Sequence, residues 1–272
     1  MIPIALTIAG TDPTAGAGIQ ADLKTFSALG VYGATVITAL VAQNTQGVRS
    51  IHDVPPTFID EQIAAVFEDL DVAAVKIGML SVPAVISTVA TALDRYGVEK
   101  LVVDPVMVAA SGDRLLAPEA IEALRNELIP KALLITPNLP EAAALLDQPE
   151  AEDERAMLRQ AQELLALGCR AVLVKGGHQQ GTESVDVLVD ASGSSRFIAR
   201  RVATRNTHGT GCTLSSAITA ELAKGASLEE AVQRGKLFIT AAIAASDQLD
   251  IGKGSGPVHH FHALWKDAGG RG

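Results

Sequence analysis

An α/β fold built on a mostly parallel sheet is what this sequence predicts, and three observations carry the prediction. Short, almost continuously apolar runs such as those at residues 4–9, 72–77 and 171–174 have the pattern of strands buried on both faces. Between them lie segments whose apolar residues recur every three to four positions, and strands alternating with helices imply a parallel sheet covered on both sides. At 272 residues, 48% of them apolar, the chain has material for one large core, so a single domain over residues 1–272 is expected.

The elements follow in order. Residues 4–9 read as the first strand, stopped by Gly10. After the turn G-T-D-P-T-A-G-A-G, Ile19, Leu23 and Phe26 fall at i, i+4 and i+7, and Gly30 closes that helix. Residues 34–41 read as a second buried strand. Ile63, Val66 and Phe67 mark a helix, residues 72–77 a strand, and Val85, Val89 and Leu93 the next helix. A strand at 100–103, a helix at 121–128 and a strand at 133–136 continue the alternation, with helices on either side of the acidic 150–155 segment. Strands at 171–174, 185–189 and 196–202 come next, the last two joined by a hairpin-like turn at Gly193. Leu214, Ile218 and Leu222 carry a helix that ends at Lys224-Gly225, and a last helix covers residues 228–245.

Charge narrows the function. The balance of 22 basic and 31 acidic residues gives −9, which disfavours a broad nucleic-acid or anionic-membrane surface, so any phosphate must be met by a built site. Cys169 and Cys212 stand at no metal-ligand or redox spacing, as expected in a reducing compartment. The opening M-I-P-I-A-L-T-I-A-G-T-D reads as a first strand rather than a signal peptide, and no apolar run is long enough to span a bilayer. A cytoplasmic, soluble protein is the expectation.

Ligands of such sheets bind beyond the carboxyl ends of the strands. Polar residues and glycines collect there: residues 10–18, Gln43, Asn44, 76–79, Asp104, Asn138, Glu141 and 175–178. The densest stretch is T-R-N-T-H-G-T-G-C-T, residues 204–213, a glycine-rich turn opening into a helix whose first N–H groups point at whatever lies beyond. That place suits an anion, phosphate above all. Cys212 sits in the first turn, where the helix dipole and Lys175 are expected to bring its thiol toward neutrality as nucleophile or base; the plainer reading is a tight turn with a small buried cysteine. Asn138 and Glu141, three apart, share a helix face where Glu141 and Asp104 can hold Mg²⁺ through water, or Glu141 is simply a favourable helix-start charge. Lys175 is either a cation for transferring phosphates or a solvated lysine at a strand end. Gly16-Ala17-Gly18 with Ala21 approaches a dinucleotide fingerprint, yet A-L-V-A-Q-N-T offers no acid for a ribose, and no P-loop motif occurs. The run His259 to His262 lacks a carboxylate or cysteine at ligand spacing and is not read as a metal site.

Taken together, G-T-D-P-T-A-G-A-G-I-Q-A-D-L-K-T, V-I-T-A-L-V-A-Q-N-T, K-I-G-M-L, D-P-V-M, I-T-P-N-L-P-E-A, V-K-G-G-H, N-T-H-G-T-G-C-T and G-K-G-S-G-P-V-H-H-F closely resemble the hydroxymethylpyrimidine/phosphomethylpyrimidine kinases of thiamine biosynthesis, in the ribokinase-like superfamily. The resemblance runs in order from residue 4 to about 265. It implies a three-layer α/β/α fold, ATP and Mg²⁺, and two successive phosphorylations of 4-amino-5-hydroxymethyl-2-methylpyrimidine. It also implies that Asp22 and Gln43 bond the pyrimidine, with Gln43 standing where some members carry Glu. Gly10, Val41, Met79 and Val106 line the pocket in this pattern. Asn138 and Glu141 match the N-x-x-E motif near Mg²⁺, Asp104 and Lys175 lie near the phosphates, and Gly209, Thr210 and Gly211 form the anion hole. Cys212 then takes the place of the sugar kinases' catalytic Asp, as the proposed base. A homodimer is implied as well. The alternatives are a pyridoxal kinase of the same superfamily and, from another class, a non-catalytic pyrimidine or nucleotide sensor.

Overall fold

The computed structural model describes residues 1–108, 115–117, 119–178 and 181–265. Its centre is an eight-stranded sheet in the order β10-β9-β8-β7-β6-β5-β1-β2. These strands are β1 (Ile4–Ala9), β2 (Tyr32–Ile37), β5 (Val72–Ile77), β6 (Leu101–Val103), β7 (Leu134–Ile135), β8 (Ala171–Val174), β9 (Glu183–Asp190) and β10 (Gly193–Arg200). Every pair from β2 to β8 is parallel. The β8–β9 and β9–β10 pairs are antiparallel, closing one side with a hairpin.

Alternation along the strands separates two cores. Leu6 and Ile8 of β1, Val75 and Ile77 of β5, and Leu101 and Val103 of β6 face one side. That side is covered by α2 (Pro56–Phe67), α3 (Pro83–Arg95), the short α4 (Ala120–Ala123), α5 (Leu139–Leu146) and α6 (Glu154–Leu165). Ala5, Ala74 and Val102 face the other, under α1 (Gly18–Ala28), α7 (Thr210–Ala223) and α8 (Leu228–Ala244). The period of two in each strand thus sorts residues into a three-layer sandwich.

One element departs from the sequence reading. Residues 34–41 do not form a single strand. The chain leaves the sheet at Thr38, whose N–H bonds the Ala9 carbonyl and whose hydroxyl bonds the Met79 carbonyl. It re-forms as β3 (Ala39–Asn44), paired antiparallel with β4 (Gly47–Asp53) in a separate two-stranded sheet. Ala39 and Val41 of this hairpin pack with Met79 into a small third core beside the strand ends. The helix expected over residues 121–128 is present, as α4 continuing into a wider π-helical turn at Leu124–Leu128.

Candidate active site

Parallel strands end at one edge, and their next residues meet there. Asp104 follows β6, its N–H held by the Ile77 carbonyl, and Lys175 follows β8, its N–H held by the Pro137 carbonyl. Lys175 Nζ stands 2.7 Å from Asp104 Oδ1 and 3.9 Å from Glu141 Oε2, and Thr136 Oγ1 donates to the same Asp104 oxygen at 2.9 Å. With its side chain only 12% exposed, Lys175 is a fixed cation and not a solvated one. Burial alone lowers an amine's pKa, but Asp104 and Glu141 outweigh it and raise Lys175 above its ordinary value. Burial opposes ionisation of Asp104 too, yet Lys175 and Lys76 hold that carboxyl below the usual range. Glu141 goes the other way. Burial, against the pull of Lys175 and with the push of Asp104, brings it up to about 7.

Both readings of Asn138 and Glu141 describe the same geometry. Asn138 is the N-cap of α5: its side chain accepts the Glu141 N–H at 2.8 Å, and Glu141 Oε2 accepts the Asn138 N–H at 2.8 Å. This capping box satisfies two orphan donors and at the same time fixes the Glu141 carboxylate beside Lys175.

The start of α7 faces this cluster. Gly209, its N-cap, has φ +79° and lies so close to Gly16 that an added Cβ would run into the Gly16 carbonyl oxygen. Only glycine fits there without strain. The N–H groups of Gly211 and Cys212 have no hydrogen-bond partner among the described residues, leaving two donors for an anion at the positive end of the helix. Cys212 itself corrects the sequence expectation. Burial pushes its thiol up to about 11, with Asp22 and Asp104 adding to the rise, while Lys76 and the Gly18 N–H pull the other way. The shift toward neutrality expected from the dipole and Lys175 does not occur, because desolvation of the thiolate dominates.

These groups line one cavity of about 850 Å³. On one side it is bounded by Gly10, Val41, Gln43, Met79 and Val106, under the β3–β4 hairpin. On the other it runs past Gly209–Cys212, Lys175 and Asp104 toward Val202, just beyond β10, and Ile239 and Ile243 of α8. Asn138 and Glu141 lie along the wall, so every site residue expected from the sequence lines the cavity except Asp22.

Asp22 is fully buried behind the wall. Its carboxylate accepts Lys76 Nζ at 2.9 and 3.0 Å, Thr7 Oγ1 at 2.6 Å and Ser216 Oγ at 2.6 Å. Four hydrogen bonds from three partners leave it no face for a pyrimidine, so direct base contact by Asp22 gives way to a bolt joining α1, β1, β5 and α7. Lys76, also fully buried, is the member that reaches the cavity wall. A lysine inside the apolar run V-A-A-V-K-I was a readable sign of a buried partner. Sequence reasoning also passed over Asp12 and His208, joined at 2.7 Å from Asp12 Oδ2 to His208 Nε2. Its signal was Asp-Pro in the first turn, an Asx-turn pattern that the side chain adopts by accepting the Thr14 N–H at 2.9 Å.

Among the described residues no group of three or more His, Cys, Asp and Glu is placed to hold a metal, and that includes the run His259 to His262. Asp104 and Glu141 are an all-oxygen pair, a donor set that suits a hard cation keeping most of its waters. No helix among the described residues is long and apolar enough to cross a membrane.

Comparison with known proteins gives a consistent picture. A family profile described as phosphomethylpyrimidine kinase matches residues 12–259. The hydroxymethylpyrimidine/phosphomethylpyrimidine kinase of Salmonella typhimurium is 57% identical over 96% of this chain and 98% of that protein. A thiamine biosynthesis bifunctional protein of Geobacter sulfurreducens is 49% identical over 95% of this chain and 52% of its own length. Among solved structures, an ADP complex of Bacillus subtilis pyridoxal kinase superposes with a TM-score of 0.90 at 38% identity, covering 98% of this chain and 100% of that one.

Proposed function

The chain belongs to the phosphomethylpyrimidine kinase family, and from that premise we propose that it uses ATP to phosphorylate 4-amino-5-hydroxymethyl-2-methylpyrimidine and then its monophosphate, giving the pyrophosphate for thiamine biosynthesis. The observation that carries this reading is that a small polar–apolar lobe, a helix start with two free N–H groups and a fixed lysine all line one cavity. Phosphoryl transfer calls for these parts in one site, since positioning and charge neutralisation supply most of its acceleration.

In this reading Gln43 bonds the pyrimidine while Gly10, Val41, Met79 and Val106 shape its lobe, and Asp22 acts only from behind, through Lys76. Gly209, Thr210 and Gly211 receive the transferring phosphoryl group, and Lys175 offsets its charge. Asp104 and Glu141, with Asn138 beside them, are the residues that would hold Mg²⁺, whose charge would neutralise phosphate oxygens. Cys212 is the proposed base for the hydroxyl. One kinase domain over residues 1–272 carries all of this. The two free cysteines fit a reducing compartment such as the cytoplasm, and a homodimer, implied by the resemblance, is decided by sedimentation.

The 0.90 superposition on a pyridoxal kinase makes pyridoxal the second acceptor to examine. ADP release from ATP–Mg²⁺ is to be followed with hydroxymethylpyrimidine, its monophosphate, pyridoxal and ribose side by side. Turnover of the first two is expected, with pyridoxal slower and ribose silent. Activity confined to pyridoxal would move the chain to vitamin B6 salvage, and nucleotide binding without turnover of any of the four would leave a sensor.

A further inference from the structure

Asp12 does not itself line the cavity, yet it is fully buried and accepts five hydrogen bonds, two of them from the lining residues Ala17 and His208. Oδ1 takes the Thr14 N–H at 2.9 Å and its hydroxyl at 2.8 Å. Oδ2 takes the Gly16 N–H at 3.1 Å, the Ala17 N–H at 2.8 Å and His208 Nε2 at 2.7 Å. Four of these bonds fold the loop from Gly10 to Gly18, which gives Gly10, Thr11, Ala17 and Gly18 to the acceptor lobe. The fifth crosses to the residue just before the anion hole. The backbone of His208 is itself tied down, its N–H to the Gly256 carbonyl at 3.0 Å and its carbonyl to the Val258 N–H at 3.3 Å. One residue on, Gly209 meets the Gly16 carbonyl that follows from the same folded loop.

We infer that Asp12 and His208 are positioning residues for phosphoryl transfer: a clasp that holds the acceptor loop and the anion hole in register across the cavity. The physical need is plain. Acceptor oxygen and phosphorus must meet at near-contact distance, the acceptor is placed by one loop and the phosphoryl group by another, and a shift of about 1 Å between them costs on the order of 100-fold in rate. An ionised carboxylate accepting an imidazole N–H and four further donors is short and strong, and leaves little freedom for such a shift. The far end of the cavity, which the kinase reading gives to the nucleotide, is lined by Val202, Ile239 and Ile243 from other elements. A loosened clasp therefore separates catalysis from nucleotide binding, which loss of fold does not.

The inference rests on the kinase reading, and the parent enzyme separates the two. His208→Gln keeps an N–H donor with the reach of Nε2, whereas His208→Asn is one methylene too short, and the pair is matched in charge and polarity. With hydroxymethylpyrimidine as acceptor, kcat is expected to fall about 100-fold in His208→Asn and to stay within about 5-fold of the parent in His208→Gln. The Kd of ADP, which lacks the phosphoryl group that the anion hole receives, is expected to stay within about 3-fold in both, since the far end of the cavity is built by other elements. Equal kcat in the Gln and Asn variants, or losses that merely track the folded fraction seen by circular dichroism, would overturn the clasp while an active parent upholds the kinase. A parent silent toward every acceptor would overturn both. Should His208→Asn not fold, Asp12→Asn takes its place, with the same split between kcat and nucleotide Kd expected and its absence equally decisive.

Discussion

A thiol pushed up to about 11 changes what Cys212 can do as a base. At neutral pH it is protonated almost throughout, so the thiolate that removes a hydroxyl proton is a minor form. Burial raises it first, and Lys76 is the group that opposes the rise. The two acceptors differ in what they need from it. The hydroxymethyl group must lose a proton as its oxygen meets phosphorus, whereas a phosphate monoester, with a second pKa of about 6, is already anionic near neutrality. Cys212→Ala is therefore expected to cut turnover of the hydroxymethyl substrate by about 100-fold and to leave phosphorylation of the monophosphate within several-fold of the parent. The sign with pH follows. A base must be deprotonated, so the first step is expected to accelerate about tenfold per unit from pH 7 toward 10 in the parent, while the second stays nearly flat. Stopped assays on each acceptor separately check both statements. Equal losses in the two steps would make Cys212 a packing residue and leave the anion hole as the main contributor.

At the scale of elements, the start of α7 concentrates the design. Gly209 is left-handed and in contact with Gly16, while Gly225, just past the other end of the helix, is left-handed with φ +92° and open space where a Cβ would go. Alanine at either place carries a backbone cost of about 1–3 kcal/mol. Only at Gly209 does the new methyl also drive the two loops apart. Gly225→Ala is expected to lower the melting temperature with kcat unchanged, and Gly209→Ala to lose kcat by at least about 100-fold at a temperature where it remains folded. A thermal melt with a paired rate assay compares them. The sequence made α7 legible because glycines, an apolar helical repeat and a terminating Lys-Gly all lie within one stretch. The same holds for β1, β5 and β8, whose runs are apolar on both faces. The β3–β4 hairpin was not legible for a matching reason: β4, G-V-R-S-I-H-D, is largely exposed and shows no apolar run, and what breaks β2 from β3 is a pair of hydrogen bonds from Thr38 to residues far along the chain. Local pattern carries no trace of such tertiary bonds. The cavity wall was readable because strand ends collect ligands, but Asp22 could not be assigned from pattern, since only the packing of α1 against β1 and α7 turns its carboxylate to Lys76 rather than outward.

For the whole molecule, the cavity's position links ligand binding to global stability. It lies across the ends of β1, β5, β6 and β8, and those strands divide the two large cores on the opposite faces of the sheet. A ligand held there contacts α7 and α8 from one layer and α5 from the other, so no layer can unfold and leave the site intact. Binding to the native state alone stabilises by RT ln(1 + [L]/Kd), about 2.7 kcal/mol at one hundred times Kd. For a chain of this size that corresponds to a rise in melting temperature of roughly 5–10 °C. A non-hydrolysable ATP analogue with Mg²⁺ is expected to move one cooperative transition by that amount. The pyrimidine alone, at the same multiple of its own Kd, is expected to move the same transition, because its lobe touches β1 and the hairpin beside the shared core. Calorimetry across a ligand series tests this. Two separated transitions, of which the nucleotide shifts one, would show that the layers unfold independently. No shift with a nucleotide that binds by an independent titration would mean that it binds the unfolded chain as well as the native one.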